Sequence, residues 1–178
     1  MHTRSSLRVI VTRLFLLTLL AVLLAPAAAS AATYIYDVPE LVERPLIAVK
    51  KTAKFDVLLP SQFTSEHRRL FSQGSGRAGS YRFDIGAVKG CGTSTACFVA
   101  SFRARRGGKP TNTRKVKLRG DRRGYFRRSK CGASCGPARL QWVQDRVLYT
   151  IDAKLGTQKT ERRVLIRLAN SAIGKGAR

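Results

Sequence analysis

Acidic side chains are scarce: ten Asp and Glu stand against 34 Lys and Arg, for a formal charge of +24. Histidine is scarcer, with His67 the only one beyond His2. These shortages exclude chemistries. Glycoside hydrolysis needs two carboxyl groups facing each other in a cleft. Here the acids are scattered, and Asp37, Glu40 and Glu43 lie closest. Metal-assisted hydrolysis needs several His, Asp or Glu ligands together, and none cluster. In Ser65-Glu66-His67-Arg68-Arg69 the histidine has cationic neighbours, so it reads as a solvated loop residue. A Ser–His–acid set would need its other members from far along the chain. No phosphate-binding glycine motif stands between a strand and a helix; Gly74-Ser-Gly76 and Gly90-Cys-Gly92 read as loops. The chain is therefore read as not an enzyme and as needing no cofactor or metal.

Long apolar runs are missing except at the N-terminus. There Arg4, Arg8 and Arg13 precede Leu14 to Ala25, 12 residues without a charge, followed by Pro26 and Ala29-Ser30-Ala31. Basic, apolar and small regions in that order predict a secretory signal over 1–31, cleaved near Ala31. The competing reading is an uncleaved membrane anchor, since Leu14 to Ala32 is 19 residues. Cleavage would leave a secreted or extracytoplasmic chain of 147 residues, 32–178, with 31 basic and 10 acidic side chains, net +21. That length can bury a real core.

Cysteine is sparse but even: Cys91, Cys97, Cys131 and Cys135. In an oxidising compartment that reads as two disulfides. Three pairings are possible. The local pairs Cys91–Cys97 and Cys131–Cys135 are preferred because Gly, Ser and Thr surround both, although each short loop yields only roughly 2 kcal/mol. Bridging from Cys91 to Cys131 would yield roughly 4. Zinc is the rival reading, but of the C-x5-C and C-x3-C spacings only the second suits a structural site.

What is present is alternation. Period-two runs at 54–59, 80–88, 96–105, 114–119, 124–130, 138–144 and 146–154 read as strands separated by Gly, Pro and Asp turns. Cys131 to Pro137 reads as a disulfide-closed hairpin loop. From Thr160 the period changes: Val164, Leu165, Leu168, Ala169, Ala172 and Ile173 form a helical stripe, with Thr157 or Thr160 as cap and Gly174 as stop. Residues 61–79 hold no clear strand and read as a loop or short helix. The expected fold is α+β, an antiparallel β meander of six or seven strands with a C-terminal amphipathic helix on one face. The expected organisation is a 32–54 extension, a single domain over 55–174 and a basic tail at 175–178.

Leu59-Pro60-Ser61, Cys91 with Cys97, Trp142 to Tyr149, and Ala169-Asn170-Ser171 carry a resemblance. Over 55–173 the chain resembles bacterial secreted or lipid-anchored domains of unassigned function. The resemblance implies packing and turns, and no substrate. One departure is Arg146, where glycine would be expected after Asp145. A tight turn with positive φ would strain an arginine, so a longer loop or another turn type is expected.

The surplus charge is concentrated. From Arg103 to Lys130, 13 of 28 residues are basic, with Asp121 the only acid. Arg103, Arg105, Arg106, Arg114, Lys115, Lys117, Arg119, Arg122, Arg123, Arg127 and Arg128 are the candidate polyanion-binding residues. Alternation puts Arg103, Arg105, Lys115, Lys117 and Arg119 on outward faces. Like charges across a ladder repel, and an anionic partner would relieve them. Arginine outnumbers lysine 20 to 11 after residue 31, and its fork suits phosphate. The expected partner is an anionic cell-envelope polymer or membrane headgroups, the alternative an acidic protein, and the plainest reading a merely solvated face. Specific nucleic-acid recognition is not expected. Tyr125, Phe126, Trp142 and Tyr149 could stack bases, but Trp142 and Tyr149 read inward.

Overall fold

Alternating apolar residues on β4 (Ser80–Gly86), β5 (Phe98–Arg106), β10 (Ala138–Gln144) and β11 (Val147–Ala153) build one side of a sheet. The computed structural model describes residues 32–92, 94–132 and 134–178. The expected signal segment, 1–31, lies outside them. The remaining elements are β1 (Tyr34–Asp37), α1 (Val38–Leu41), α2 (Glu43–Ala53), β2 (Gln62–Ser65), β3 (Phe71–Arg77), β6 (Arg114–Lys117), a 3-10 turn (Arg119–Asp121), β7 (Arg123–Arg127), β8 (Lys130–Cys131), β9 (Cys135–Gly136) and α3 (Glu161–Lys175). Seven strands form one antiparallel sheet, and the class is α+β as expected, with the C-terminal helix on one face. The strand order is β3-β4-β5-β11-β10-β7-β6, which departs from a sequential meander because the β10–β11 hairpin sits between β5 and β7.

The register aligns Tyr81, Phe83 and Ile85 with Ala104, Phe102 and Ala100, and these with Tyr149, Ile151 and Ala153. Ala138, Leu140 and Trp142 follow on β10 and Phe126 on β7. All are buried, and α3 lays Leu165, Leu168, Ala169 and Ala172 into the same core. Burying side chains of this size stabilises by about 1.5–3 kcal/mol each. Gly176, with φ of 70°, ends the helix, two residues beyond the expected stop.

Residues 33–178 form one compact unit, so the segment 32–54 is not an extension. Val38, Val42, Leu46, Val49 and Ala53 enter the main core, and α2 lies against β3. Two glycines admit it. A Cβ on Gly74 would meet Pro45 Cβ at 2.7 Å, and one on Gly76 would meet Thr52 Oγ1 at 2.5 Å and Val49 Cα at 3.1 Å. Residues 61–79, expected as loop or helix, therefore hold β2 and β3. The sequence of β3 hides its strand because glycine occupies the positions that face α2.

The strand expected at 54–59 forms no ladder, only a bridge from Leu58 to Ala177. The Tyr81 hydroxyl takes the place of a neighbouring strand: it accepts from Leu58 N–H at 3.1 Å and donates to Leu58 C=O at 3.0 Å. The C-terminal residues are not a loose tail, since Arg178 N–H donates to Val57 O at 3.1 Å. The β10–β11 turn is another correction. Gln144 pairs with Val147, leaving two turn residues, and Asp145 and Arg146 adopt φ of 51° and 60°. The twist of the hairpin imposes the positive-φ turn even without glycine, and Arg146 O is held by Gly107 N–H at 2.8 Å. Both disulfides are the local pairs, Cys91–Cys97 and Cys131–Cys135.

Candidate anion-binding site

The helices cover one sheet face, and the charge gathers on the other. Successive register pairs carry Arg82 to Arg103, Arg103 to Thr150, Thr150 to Gln141, Gln141 to Tyr125 and Tyr125 to Lys115. In the flanking rows Ser80 faces Arg105, Arg139 faces Arg127 and Asp152, and Lys117 faces Arg123. Of the candidates, Arg103, Arg105, Lys115, Lys117, Arg123 and Arg127 share this face. The arrangement places like charges directly opposite one another, Arg82 against Arg103 and Arg127 against Arg139, which costs stability unless something offsets it.

Two carboxylates partly do. Asp152, with a side chain 6% exposed, accepts from Arg103 and, at 2.6 Å, from Arg139 Nε. Asp84 holds Arg82 Nε at 2.6 Å. These contacts fix three guanidinium groups before any ligand arrives. The side chains of Arg105 and Lys109 have no ion pair or hydrogen bond among the described residues, and Arg77 Nε donates to Ser80 Oγ at 3.1 Å. Lys117 meets Asp121 at 2.8 Å, but both are largely exposed and the pair contributes little.

The link between β5 and β6 crosses this face because the strand order requires it. Gly108 lies against Leu148, where a Cβ would come within 2.8 Å of Leu148 Cβ. Gln141 Oε1 accepts from Thr111 N–H at 2.9 Å, Thr111 Oγ1 at 3.1 Å and Asn112 N–H at 3.3 Å. Asn112 Nδ2 donates to Tyr125 O at 3.0 Å. The strap walls a depression of about 360 Å³. Arg77, Arg82, Arg103, Arg105, Lys109 and Arg139 line it, with Ser80, Thr111 and Thr150 supplying hydroxyls.

The other candidates lie elsewhere. Arg106 Nη2 donates to Lys54 O at 3.1 Å, and its guanidinium stands 5.9 Å over the Phe55 ring. Arg114 faces Phe126, the parity of the helix-bearing side. Arg119 was expected on the outward face, but β6 ends at Lys117 and the 3-10 turn redirects it. Its N–H donates to Asn170 Oδ1 of α3 at 2.7 Å, and Arg122 Nη1 donates to Arg119 O at 3.3 Å. Arg128 lies 3.7 Å from Glu161, at the start of α3. Arg77, Arg82, Lys109 and Arg139 were not among the candidates. Alternation shows Arg82 and Arg139 opposite apolar neighbours, but nothing local says that β4, β5 and β10 share a sheet.

His67 is exposed after β2; its N–H donates to Ser65 Oγ at 3.2 Å and its C=O accepts from Tyr36 at 2.6 Å. Burial raises the pKa of Tyr81 and of Tyr149, but both phenols lie on the helix-bearing side. No helix among the described residues is long and apolar enough to cross a membrane. The two disulfides are compatible with an extracytoplasmic location. No family model, curated protein or solved structure matches the chain.

Proposed function

We propose that the protein is a secreted, non-catalytic domain that binds a phosphate-rich polyanion of the cell envelope through its helix-free sheet face. The observation that carries this reading is the register. It lines Arg82, Arg103, Arg105, Arg139, Lys115, Lys117, Arg123 and Arg127 along one face. Guanidinium groups pair with phosphate in two-pronged fashion, and partner charge removes the repulsion across the ladders.

The test compares two faces carrying the same kind of charge. Arg105, Lys115, Lys117 and Arg123 changed together to Ser should abolish co-sedimentation with isolated cell walls. Arg162, Arg163 and Arg167, exposed on α3, changed together to Ser should leave most of it. Binding should fall log-linearly with salt and disappear once phosphate polymers are stripped from the walls. Equal losses from both sets would reduce the effect to net charge and sink the assignment of the face. The alternative, an acidic protein partner, would instead give a saturable complex with one or two dominant residues.

A further inference from the structure

The depression beneath the strap differs from the rest of the cationic face, and the difference points to a ligand unit. Elsewhere the face is more open, and the depression around Lys115, Lys117, Arg122 and Arg123 is lined by exposed or half-exposed cations, with Lys117 paired to exposed Asp121. Beneath the strap, six cationic side chains surround a space of about 360 Å³, within the size range of small-molecule sites. Three are pre-positioned: Asp152 fixes Arg103 and Arg139, and Asp84 fixes Arg82. Ordering a long side chain on binding costs free energy, and here that cost is met in the fold itself. Arg105 and Lys109 stand beside them with no ion pair, so the lining retains a surplus of positive charge.

The space is larger than a bare phosphate or sulfate requires, and its remaining lining is selective. Ser80 accepts from Arg77, leaving its hydroxyl proton to donate. Thr111 donates to Gln141, leaving its lone pairs to accept. Thr150 adds a third hydroxyl, which accepts from Gln141 Nε2 at 3.4 Å, and Leu148 provides a small apolar patch. Cations on the rim, hydroxyls between them and a small apolar patch match a phosphate ester carried on a short polyhydroxylated carbon unit.

We propose that this depression is a discrete seat for one polyol phosphate ester, such as a repeat of an envelope polymer or the headgroup of a glycerophospholipid. The proposal rests on the polyanion reading of the face and adds the repeat that is recognised. Arg103 and Arg139 form the fixed base, Arg105 and Lys109 close on the phosphate, and Ser80, Thr111 and Thr150 contact the carbon unit's hydroxyls.

The purified protein is titrated with glycerol 3-phosphate and with inorganic phosphate at about 150 mM salt, where diffuse attraction is screened. Glycerol 3-phosphate should saturate at one per chain and bind at least about tenfold more tightly than inorganic phosphate. Arg105→Ser with Lys109→Ser, both exposed and so compatible with folding, should weaken it by about tenfold or more. Lys115→Ser, Lys117→Ser and Arg123→Ser together, outside the depression, should change it by less than about twofold. Equal weakening by the two sets, or equal binding of the two probes, overturns the seat. Phosphatidylglycerol vesicles that displace glycerol 3-phosphate assign the ester to a headgroup; failure to displace assigns it to a wall-borne ester, both within the proposal. Loss of the seat with wall co-sedimentation intact leaves the wider reading standing. A saturable seat without co-sedimentation sinks that reading and keeps the seat.

Discussion

Tyr81 serves as backbone for a segment that has no strand beside it. Its hydroxyl satisfies both the amide and the carbonyl of Leu58, while Tyr149 donates to Asp56 O at 3.1 Å. Desolvation raises the Tyr81 pKa most, Tyr149 adds to it, and the Leu58 contact opposes the shift. For Tyr149 burial leads, followed by Asp56 and Asp145. Both phenols keep their protons in the folded chain at a pH where the unfolded chain loses them, near pH 10. Their contribution to stability is therefore complete below about pH 10 and declines above it, by about 1.4 kcal/mol per pH unit per phenol. Urea unfolding at pH 8, 10 and 11 should show that decline. Tyr149→Phe should lower neutral stability by about 1 kcal/mol and make the alkaline decline shallower. An unchanged slope would mean that the phenol ionises without unfolding the chain. Lysine deprotonation is common to both proteins and cancels in the comparison.

At the scale of elements, legibility followed side-chain size. The strands β4, β5, β10 and β11 were readable because their helix-facing positions carry Tyr81, Phe83, Phe102, Leu140, Trp142 and Ile151, all buried. By contrast β3 was not, because Gly74 and Gly76 replace that pattern so that α2 can approach. The same contact hid the structural role of 32–54, whose buried residues have meaning only once β3 is a strand. Gly76→Val should therefore destabilise by about 2–4 kcal/mol, since Val49 backbone stands in the way. Thermal unfolding measures this; a loss under about 0.5 kcal/mol would show that α2 is not seated closely. Candidate residues followed the same logic. Arg103, Arg105, Lys115 and Lys117 were legible from alternation within one strand. Arg82 and Arg139 needed the strand order, and Arg119 needed the place where β6 stops.

Over the whole molecule, charge is the unusual term. Residues 32–178 carry 31 cations against 10 acids, and among the described residues five close ion pairs, on Asp84, Asp121, Asp152 and Glu161, engage only some of them. Self-repulsion on this scale opposes compactness and is screened by salt. Raising NaCl from about 20 to about 500 mM should raise Tm by several degrees, in contrast to a protein of balanced charge. On the proposed reading a phosphate polymer should do so at far lower concentration, because it would bind the folded face. If Tm responds equally to polymer and to matched ionic strength, the folded face has no preference for polyanion.

The strap over the open face also bears on how quickly this chain finds its structure. The β5–β11 seam pairs residues 41 positions apart at Arg106 and Val147, and 53 apart at Ala100 and Ala153. Each flank of the seam consists of local hairpins, β3–β4–β5 on one side and β10–β11 on the other, which close over short loops. The non-local pairing carries the larger loop-closure entropy, so it is expected to follow the local hairpins. Until the seam zips, the facing edges of β5 and β11 are two unprotected ribbons rich in aromatic and branched side chains, exposed to pairing with other chains. Arg103 and Arg105 lie on one of those edges. The cations proposed to grip a ligand in the finished protein would also help to hold unfinished copies apart.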